Sequence, residues 1–115
     1  MTLQTKIGSA AAETAETLER LGVDASLWTG GSRVVRSPVT GEAIGHVHDT
    51  SPAAVAAAIE AAHTAYLSWR NVPAPRRGEL VRLLGEELRT AKADLARLVT
   101  LEAGKIVAEC EGEVQ

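Results

Sequence analysis

The sequence predicts a mainly α-helical chain with one β-hairpin, and three observations support that fold class. Apolar residues recur every three or four positions across residues 51–104, which is typical of amphipathic helices. A corner with two prolines at residues 71–75 divides this stretch, because proline removes a helical N–H donor and restricts the residue before it. Two short runs rich in β-branched residues, at 33–36 and 43–48, flank a turn at 37–42.

Composition limits the class of protein. The 115 residues suffice for one domain or part of one, and a 3% aromatic share without Phe predicts a core of Ala, Leu, Val and Ile. The net charge is −3 with acids and bases interspersed, which argues against a nucleic-acid or anionic-membrane surface. A single Cys excludes an internal disulfide framework and fits a reducing compartment.

Three segments are expected along the chain: an amino-terminal helix and loop at 1–32, a β-hairpin at 33–48 and a helical part at 49–115. Residues 1–12 lack the apolar run of a signal peptide, and no stretch approaches the ~18 consecutive apolar residues of a membrane span. The expected location is therefore cytoplasmic.

The first helix is predicted at residues 9–21, with Gly22 as its left-handed stop. Its apolar face is dominated by Ala, with Leu18 and Leu21 as the only large residues, so we expect a peripheral helix that docks weakly. In the hairpin turn, Pro38 suits an early position and Gly41 supplies a positive φ. Because a two-stranded hairpin is marginal alone, it must pack on helices of this chain or on a sheet that the chain lacks.

The second helix begins at Ser51, an N-cap, with Pro52 at its first position. Large and small apolar residues line one of its faces: Val55, Ile59, Ala62, Tyr66 and Trp69.

The third helix begins near Pro75 and is predicted to turn five apolar residues inward: Leu80, Val81, Leu84, Leu88 and Ala91. Gly78 and Gly85 lie two turns apart in it, which favours a close helix crossing over the alternative that both face solvent.

A further helix follows a break in register at 92–94, carries Leu95, Leu98 and Val99, and ends at Gly104. Beyond Lys105 another helical pattern begins, with Val107, Cys110 and Val114 spaced three and four apart. No stop signal follows it, so the pattern predicts a chain that is cut within a helix.

No stretch contains a set of groups that could carry out a reaction, so the expectation is no catalytic residue, no cofactor-binding residue and no metal ligand. The lone thiol, Cys110, lies between Glu109 and Glu111 rather than beside the His or cation that activation requires, so a structural or merely accessible Cys is predicted. His46 and His48 share one face of a strand, but a zinc site needs a third ligand and the only other histidine, His63, lies on a helix.

The glycine-containing segments and the arginines of the third helix are also predicted to form no functional site. Residues 29–32 and 102–105 contain glycines but complete no phosphate-binding motif, so they are predicted to be turns or caps. Four arginines on the third helix, Arg76, Arg77, Arg82 and Arg89, alternate with glutamates at helical spacing. This is the pattern of a solvated, ion-paired face.

The order of these elements resembles the amino-terminal segment of the aldehyde dehydrogenase superfamily. That order is the hairpin sequence SPVTGE at 37–42, the Ala-rich helix ending in Trp69, the proline corner, and LVTLEAGK at 98–105, which is similar to the superfamily's L-x-x-x-E-x-G-K segment. Within the superfamily, VPAPRRGELVR at 72–82 and EGEVQ at 111–115 look most like the α-aminoadipic semialdehyde dehydrogenase branch, or antiquitins. LGVDASLWTGG at 21–31 is similar to bacterial members.

The resemblance implies an α/β enzyme with a Rossmann-like NAD domain, a catalytic domain and an oligomerisation arm, active as a homo-oligomer on a small aldehyde. Such enzymes oxidise the aldehyde with NAD through a Cys thiohemiacetal and hydrolyse a thioester with the help of a Glu. The Cys, the Glu, the oxyanion-stabilising Asn and the NAD-binding glycines have no matching position here, and Cys110 does not match the nucleophile. Glu113 lies near, but not at, a substrate-contacting acidic position of the branch.

The interpretation is therefore an amino-terminal portion of an NAD-dependent aldehyde dehydrogenase, ending at Gln115 inside the helical part of its cofactor domain, and inactive by itself. Two alternatives stay open. One is a non-catalytic helical interaction module or remnant, and the other is an aldehyde dehydrogenase with a different substrate preference.

Overall fold

The computed structural model describes residues 8–115, and the predicted mainly helical chain with one hairpin is confirmed there. The part of the predicted 1–32 segment that precedes Gly8, and with it most of the stretch considered for a signal peptide, lies outside the described residues. In chain order the elements are α1 (Ala10–Arg20), a 3₁₀ helix (Ala25–Leu27), β1 (Arg33–Arg36), β2 (Ala43–Val47), α2 (Pro52–Trp69), α3 (Ala74–Thr90), α4 (Lys92–Ala103) and α5 (Val107–Val114).

The helix ends follow local chemistry. Ser9 and Ser51 cap α1 and α2, since the Ser9 hydroxyl accepts a hydrogen bond from the Ala12 amide and the Ser51 hydroxyl accepts one from the Ala54 amide. Gly22 and Gly104 take φ values of 71° and 74°, the left-handed conformation predicted at the ends of α1 and α4. By contrast, α3 begins behind Pro73 without a side-chain cap.

The two strands form an antiparallel hairpin whose register changes between Val35 and Arg36, and Gly41 has the expected positive φ of 76°. The loop before β1 lies along the other edge of β2. There the His46 amide donates to the Trp28 carbonyl (2.8 Å), and the Gly31 amide donates to the His46 carbonyl (3.2 Å). The hairpin is thus paired on its β2 side and packs on helices of the same chain, the first of the two predicted supports.

The core lies where α1, β2 and α4 meet. Ala10, Ile44 and Leu101 are buried together there, with Val35 partly buried against them. The expectation that α1 docks weakly is wrong, because α1 also buries Thr14, Thr17 and Leu18. Thr14 donates to the Ala10 carbonyl (2.7 Å) and Thr17 to the Glu13 carbonyl (2.8 Å), so both hydroxyls enter the core satisfied by their own helix.

Ion pairs fasten α1 to α4. Arg97 donates to Glu13 with both Nε and a terminal nitrogen, and Arg20 donates to Asp94 in the same manner. The hydrogen bonds from Arg97 hold the pKa of Glu13 below its usual range.

A Glu13→Gln variant is expected to flatten the acid dependence of stability. Because the folded-state pKa of Glu13 is lowered, its contribution is full above the unfolded value of about 4.3 and is lost as pH falls through the folded pKa. The loss at neutral pH should stay below about 1 kcal/mol, since both side chains are partly exposed and solvent screens them. Urea denaturation at several pH values measures how the free energy of unfolding changes with pH. Identical acid slopes in Glu13→Gln and in Glu16→Gln, an exposed control on α1, would contradict it.

The apolar faces of α2 and α3 are not covered. No residue of α2 or α3 is buried, and Ile59 is 63% exposed. The prediction that Leu80, Val81, Leu84 and Leu88 point inward is therefore wrong within the described residues, because periodicity identifies an apolar face without supplying the surface that covers it.

The close helix crossing predicted at Gly78 and Gly85 is also absent from the described part of the chain. A Cβ added to Gly78 would meet no atom within 4 Å, and one added to Gly85 would meet only the Arg89 guanidinium at 3.8 Å. Both glycines are tolerated on open faces, which was the alternative interpretation.

A Gly78→Ala variant is consequently expected to raise the helicity of α3 and the free energy of unfolding, by up to about 1 kcal/mol, because Ala is the better helix former. Circular dichroism during urea denaturation measures both quantities. Gly22→Ala is the matched control with the opposite expected sign, since the φ of 71° at Gly22 disfavours a Cβ. A loss of stability at Gly78 would instead indicate a packed crossing.

The molecule is elongated, with principal extents of 68 × 33 × 20 Å. Within residues 8–115, the structure contains no helix with the length and apolarity that crossing a lipid bilayer requires.

Candidate functional site

The cavities next to the core are small. One of about 140 Å³ opens between α1, β2 and α4, and its lining includes Trp28, Ile44 and Leu98. The indole N–H of Trp28 is buried and lacks a partner among the described residues. A ligand pocket holds about 300 Å³ or more, so this space is too small for a dinucleotide cofactor.

The structure places Cys110 at the contact between α4 and α5, where it is fully buried. Its Sγ lies 3.4 Å from Thr100 Oγ1 and 3.9 Å from the Lys105 carbonyl. A nucleophilic thiol needs an accessible sulfur beside a base or cation, and the nearby Lys105 ammonium is hydrogen-bonded to Glu113 instead. The structural interpretation of Cys110 is confirmed.

The three histidines do not form one site. His46 lies on β2 and His48 just after it, both exposed, whereas His63 lies on α2 beside Tyr66, with ring centroids 6.3 Å apart. Across residues 8–115, no three His, Cys, Asp or Glu side chains come together in a group that could hold a metal ion.

Both glycine-containing segments are turns or caps, as predicted. Gly30 takes a φ of 75° in the loop after Trp28, and Gly104 ends α4. The arginines of α3 are ion-paired along their own helix: Arg82 with Glu79 and Glu86, and Arg89 with Glu86. The predicted solvated, paired face is therefore confirmed for these residues.

Glu113, the acidic residue considered nearest to a substrate position, lies near the end of α5 and accepts a hydrogen bond from Nζ of Lys105, which precedes the helix. This hydrogen bond raises the pKa of Lys105. Both side chains are about half exposed, so the pair lies on the surface, and neither residue lines the cavity beside Trp28.

Sequence reasoning missed the role of Glu42. Its Oε2 accepts hydrogen bonds from the Ala11 amide (3.2 Å) and from the Ser9 hydroxyl (3.4 Å), so the hairpin turn caps α1 from 31 and 33 residues away. The capping partners of a helix are normally sought within a few residues of its start, and no local signal identifies one this distant. The assigned role is structural, and the prediction that these residues include no catalytic or cofactor-binding group stays a prediction.

Comparison with known proteins gives consistent matches. Residues 28–115 match the profile of the aldehyde dehydrogenase family. An aldehyde dehydrogenase family 7 member A1 homolog of Caenorhabditis elegans is 45% identical over 96 residues, which cover 82% of this chain and 18% of that protein. The α-aminoadipic semialdehyde dehydrogenase of Bos taurus is 41% identical over 99 residues, covering 84% of this chain and 18% of that protein.

A relative with another substrate matches nearly as well. The malonate-semialdehyde dehydrogenase 2 of Shouchella clausii is 40% identical over 87 residues, covering 76% of this chain and 18% of that protein. The chain thus spans less than a fifth of the length of the curated relatives that it matches.

Proposed function

Because this chain belongs to the aldehyde dehydrogenase family, we propose that it is the amino-terminal portion of an NAD-dependent oxidoreductase that converts a semialdehyde to the carboxylate. The substrate proposed first is α-aminoadipic semialdehyde, which would place the enzyme in lysine degradation. The observation that carries this proposal is the 41% identity over 99 residues with an enzyme named for that substrate.

The exposed helices support a place within a larger protein. In α2 most side chains are apolar, and a helix that is apolar on most sides normally lies inside a fold. We propose that residues 49–115 form the helical part of the cofactor domain, with the segments 1–32 and 33–48 as its amino-terminal helix and hairpin. The whole enzyme is proposed to be a cytoplasmic homo-oligomer, and the lone thiol of Cys110 fits a reducing compartment.

The 115-residue chain by itself is expected to bind no NAD and to oxidise no aldehyde. Its one thiol is buried without a general base, and the volume of the cavity beside Trp28 is far below that of a dinucleotide pocket. Isothermal titration calorimetry of NAD into the purified chain measures this. Saturable binding in the micromolar range would contradict the expectation.

A second substrate class is favoured by one observation. The 40% identity with a malonate-semialdehyde dehydrogenase is close to that with the α-aminoadipic enzyme, and both proteins match this chain over the greater part of its length. A shorter semialdehyde is therefore the alternative substrate.

Two experiments test the proposal. The first sequences the gene beyond the codon for Gln115: a frame that continues into a glycine-rich NAD segment and a catalytic Cys supports it, and a stop codon in the native genome contradicts it. The second replaces the matching segment of the bovine enzyme by this chain and follows NADH formation with both semialdehydes. The matched control inserts the Shouchella clausii segment at the same place. A folded chimera of this chain that oxidises neither substrate would contradict the proposal.

A further inference from the structure

The hairpin turn at residues 37–42, which we call the strap, joins the start of α1 to the end of α4. At one end of the strap, the Glu42 carboxylate accepts a hydrogen bond from the Ala11 amide (3.2 Å). At the other end, the Pro38 ring lies against Gly104, since a Cβ added to Gly104 would come within 3.0 Å of Pro38 Cγ. The strap is therefore fastened to two helices at two separate points.

Hydrogen bonds within the strap make it a stiff unit. The Gly41 amide donates to the Ser37 carbonyl (2.8 Å), and the Ser37 amide donates to the Glu42 carbonyl (3.0 Å). The Arg36 guanidinium also donates to the Gly41 carbonyl (3.0 Å). Because these bonds close the turn on itself, a displacement at one end is carried to the other end instead of being absorbed inside the turn.

The middle of the strap has room to move. A cavity of about 140 Å³ separates it from α1 and α4, with Val39 and Thr40 on the side of the strap and Leu101 on the side of α4. Val39 is 70% exposed, so the middle of the strap buries little surface on either helix, whereas Ser37, next to Pro38, is buried. The two ends therefore supply most of the attachment of the strap to the helices.

We propose that the strap is a conformational latch with coupled fastenings: release of Glu42 from α1 also loosens Pro38 from Gly104 and opens the cavity between them. The stiffness of the turn supplies the coupling, since a rigid unit that loses one of two attachments depends on the other alone. Gly104 is also the residue at which α4 ends and the chain turns toward α5, so release of the strap would free that junction. The coupling rests on contacts within this chain and is independent of the enzymatic activity proposed above.

A double-mutant cycle on the urea denaturation of the 115-residue chain tests the coupling. Glu42→Ala removes one fastening, and Pro38→Ala shortens the side chain at the other; any effect of the proline on the unfolded chain cancels in the cycle. Because either change should release most of the strap, the double variant is expected to raise the unfolding constant by at least about threefold less than the product of the two single effects. The matched control pairs Glu42→Ala with Arg20→Ala at the opposite end of α1, where Arg20 binds Asp94, and these two effects should multiply within about a factor of two.

Hydrogen exchange at the Gly104 amide gives a readout that the loss of a helix cap alone would not change. This amide donates to the Thr100 carbonyl (2.9 Å), and its exchange is expected to accelerate by about fivefold or more in Glu42→Ala, because the junction opens locally. Ser9→Ala is the matched control, since it removes the hydroxyl that caps the Ala12 amide and leaves the carboxylate of the strap in place. Exchange at Gly104 should then keep its wild-type rate.

Either of two results would overturn the proposal. The first is a double variant of Glu42 and Pro38 whose effect on the unfolding constant equals the product of the single effects, as in the control pair. The second is a Gly104 exchange rate that Glu42→Ala leaves unchanged, or that Ser9→Ala raises as much as Glu42→Ala does.

Discussion

A Gly31→Ala variant is expected to separate the loop before β1 from the edge of β2 and to lower the free energy of unfolding by about 3 kcal/mol, the upper end of the usual overpacking range. A Cβ at Gly31 would overlap the backbone of Val47 and the amide of His48, which are not flexible side-chain ends. The two backbone hydrogen bonds between this loop and His46 would then be lost.

Urea denaturation, together with hydrogen exchange at the His46 amide, measures this effect. Gly45→Ala is the matched control on the same strand, because its added Cβ would make only an ordinary contact, 3.5 Å from the Trp28 carbonyl oxygen. Gly45→Ala should therefore keep the His46 amide protected. Equal losses in the two variants would show that the loop does not depend on the close approach at Gly31.

An Ile44→Ala variant is expected to destabilise the chain by about 2–5 kcal/mol, the usual result of opening a cavity in a packed core. Ile44 is 5% exposed and lies at the centre of the contact between α1, β2 and α4. Because a small domain has a total stability of only about 5–15 kcal/mol, this one truncation would remove a large share of it.

The same substitution at Ile106 is the control, since Ile106 is 65% exposed and its truncation removes little buried surface. Thermal and urea denaturation followed at 222 nm compare the two variants. A change below about 1 kcal/mol at Ile44, or equal changes at both positions, would mean that the cluster around Ile44 is not the stabilising core.

The boundaries of the elements could be predicted because their causes are local. The cap at Ser51, the proline at position 52 and the left-handed glycines at 22 and 104 each act within a few residues. The interpretations of Cys110 and of the paired arginines Arg82 and Arg89 also rested on neighbours in sequence, and the structure confirms them.

Packing could not be predicted in the same way. The docking of α1 depends on Thr14 and Thr17, whose hydroxyls donate hydrogen bonds to carbonyls of their own helix. It also depends on side chains that lie far away in sequence: Glu42, Asp94 and Arg97. Helical periodicity identified the apolar faces of α2 and α3 correctly but carries no information about what covers them. The spacing of Gly78 and Gly85 likewise cannot distinguish a close helix crossing from a helix face that is open to solvent.

The attachment of α1 to α4 also affects how this chain is made. The 11 residues of α1 are too few for a stable helix in isolation, since isolated helices below about 12–15 residues are marginal in water. Arg97 is synthesised 84 residues after its partner Glu13, which at about 5–20 residues per second is a delay of roughly 4 to 17 seconds. During that interval the nascent segment leaves the ribosome without its docking surface, and a chaperone would have several seconds in which to bind it.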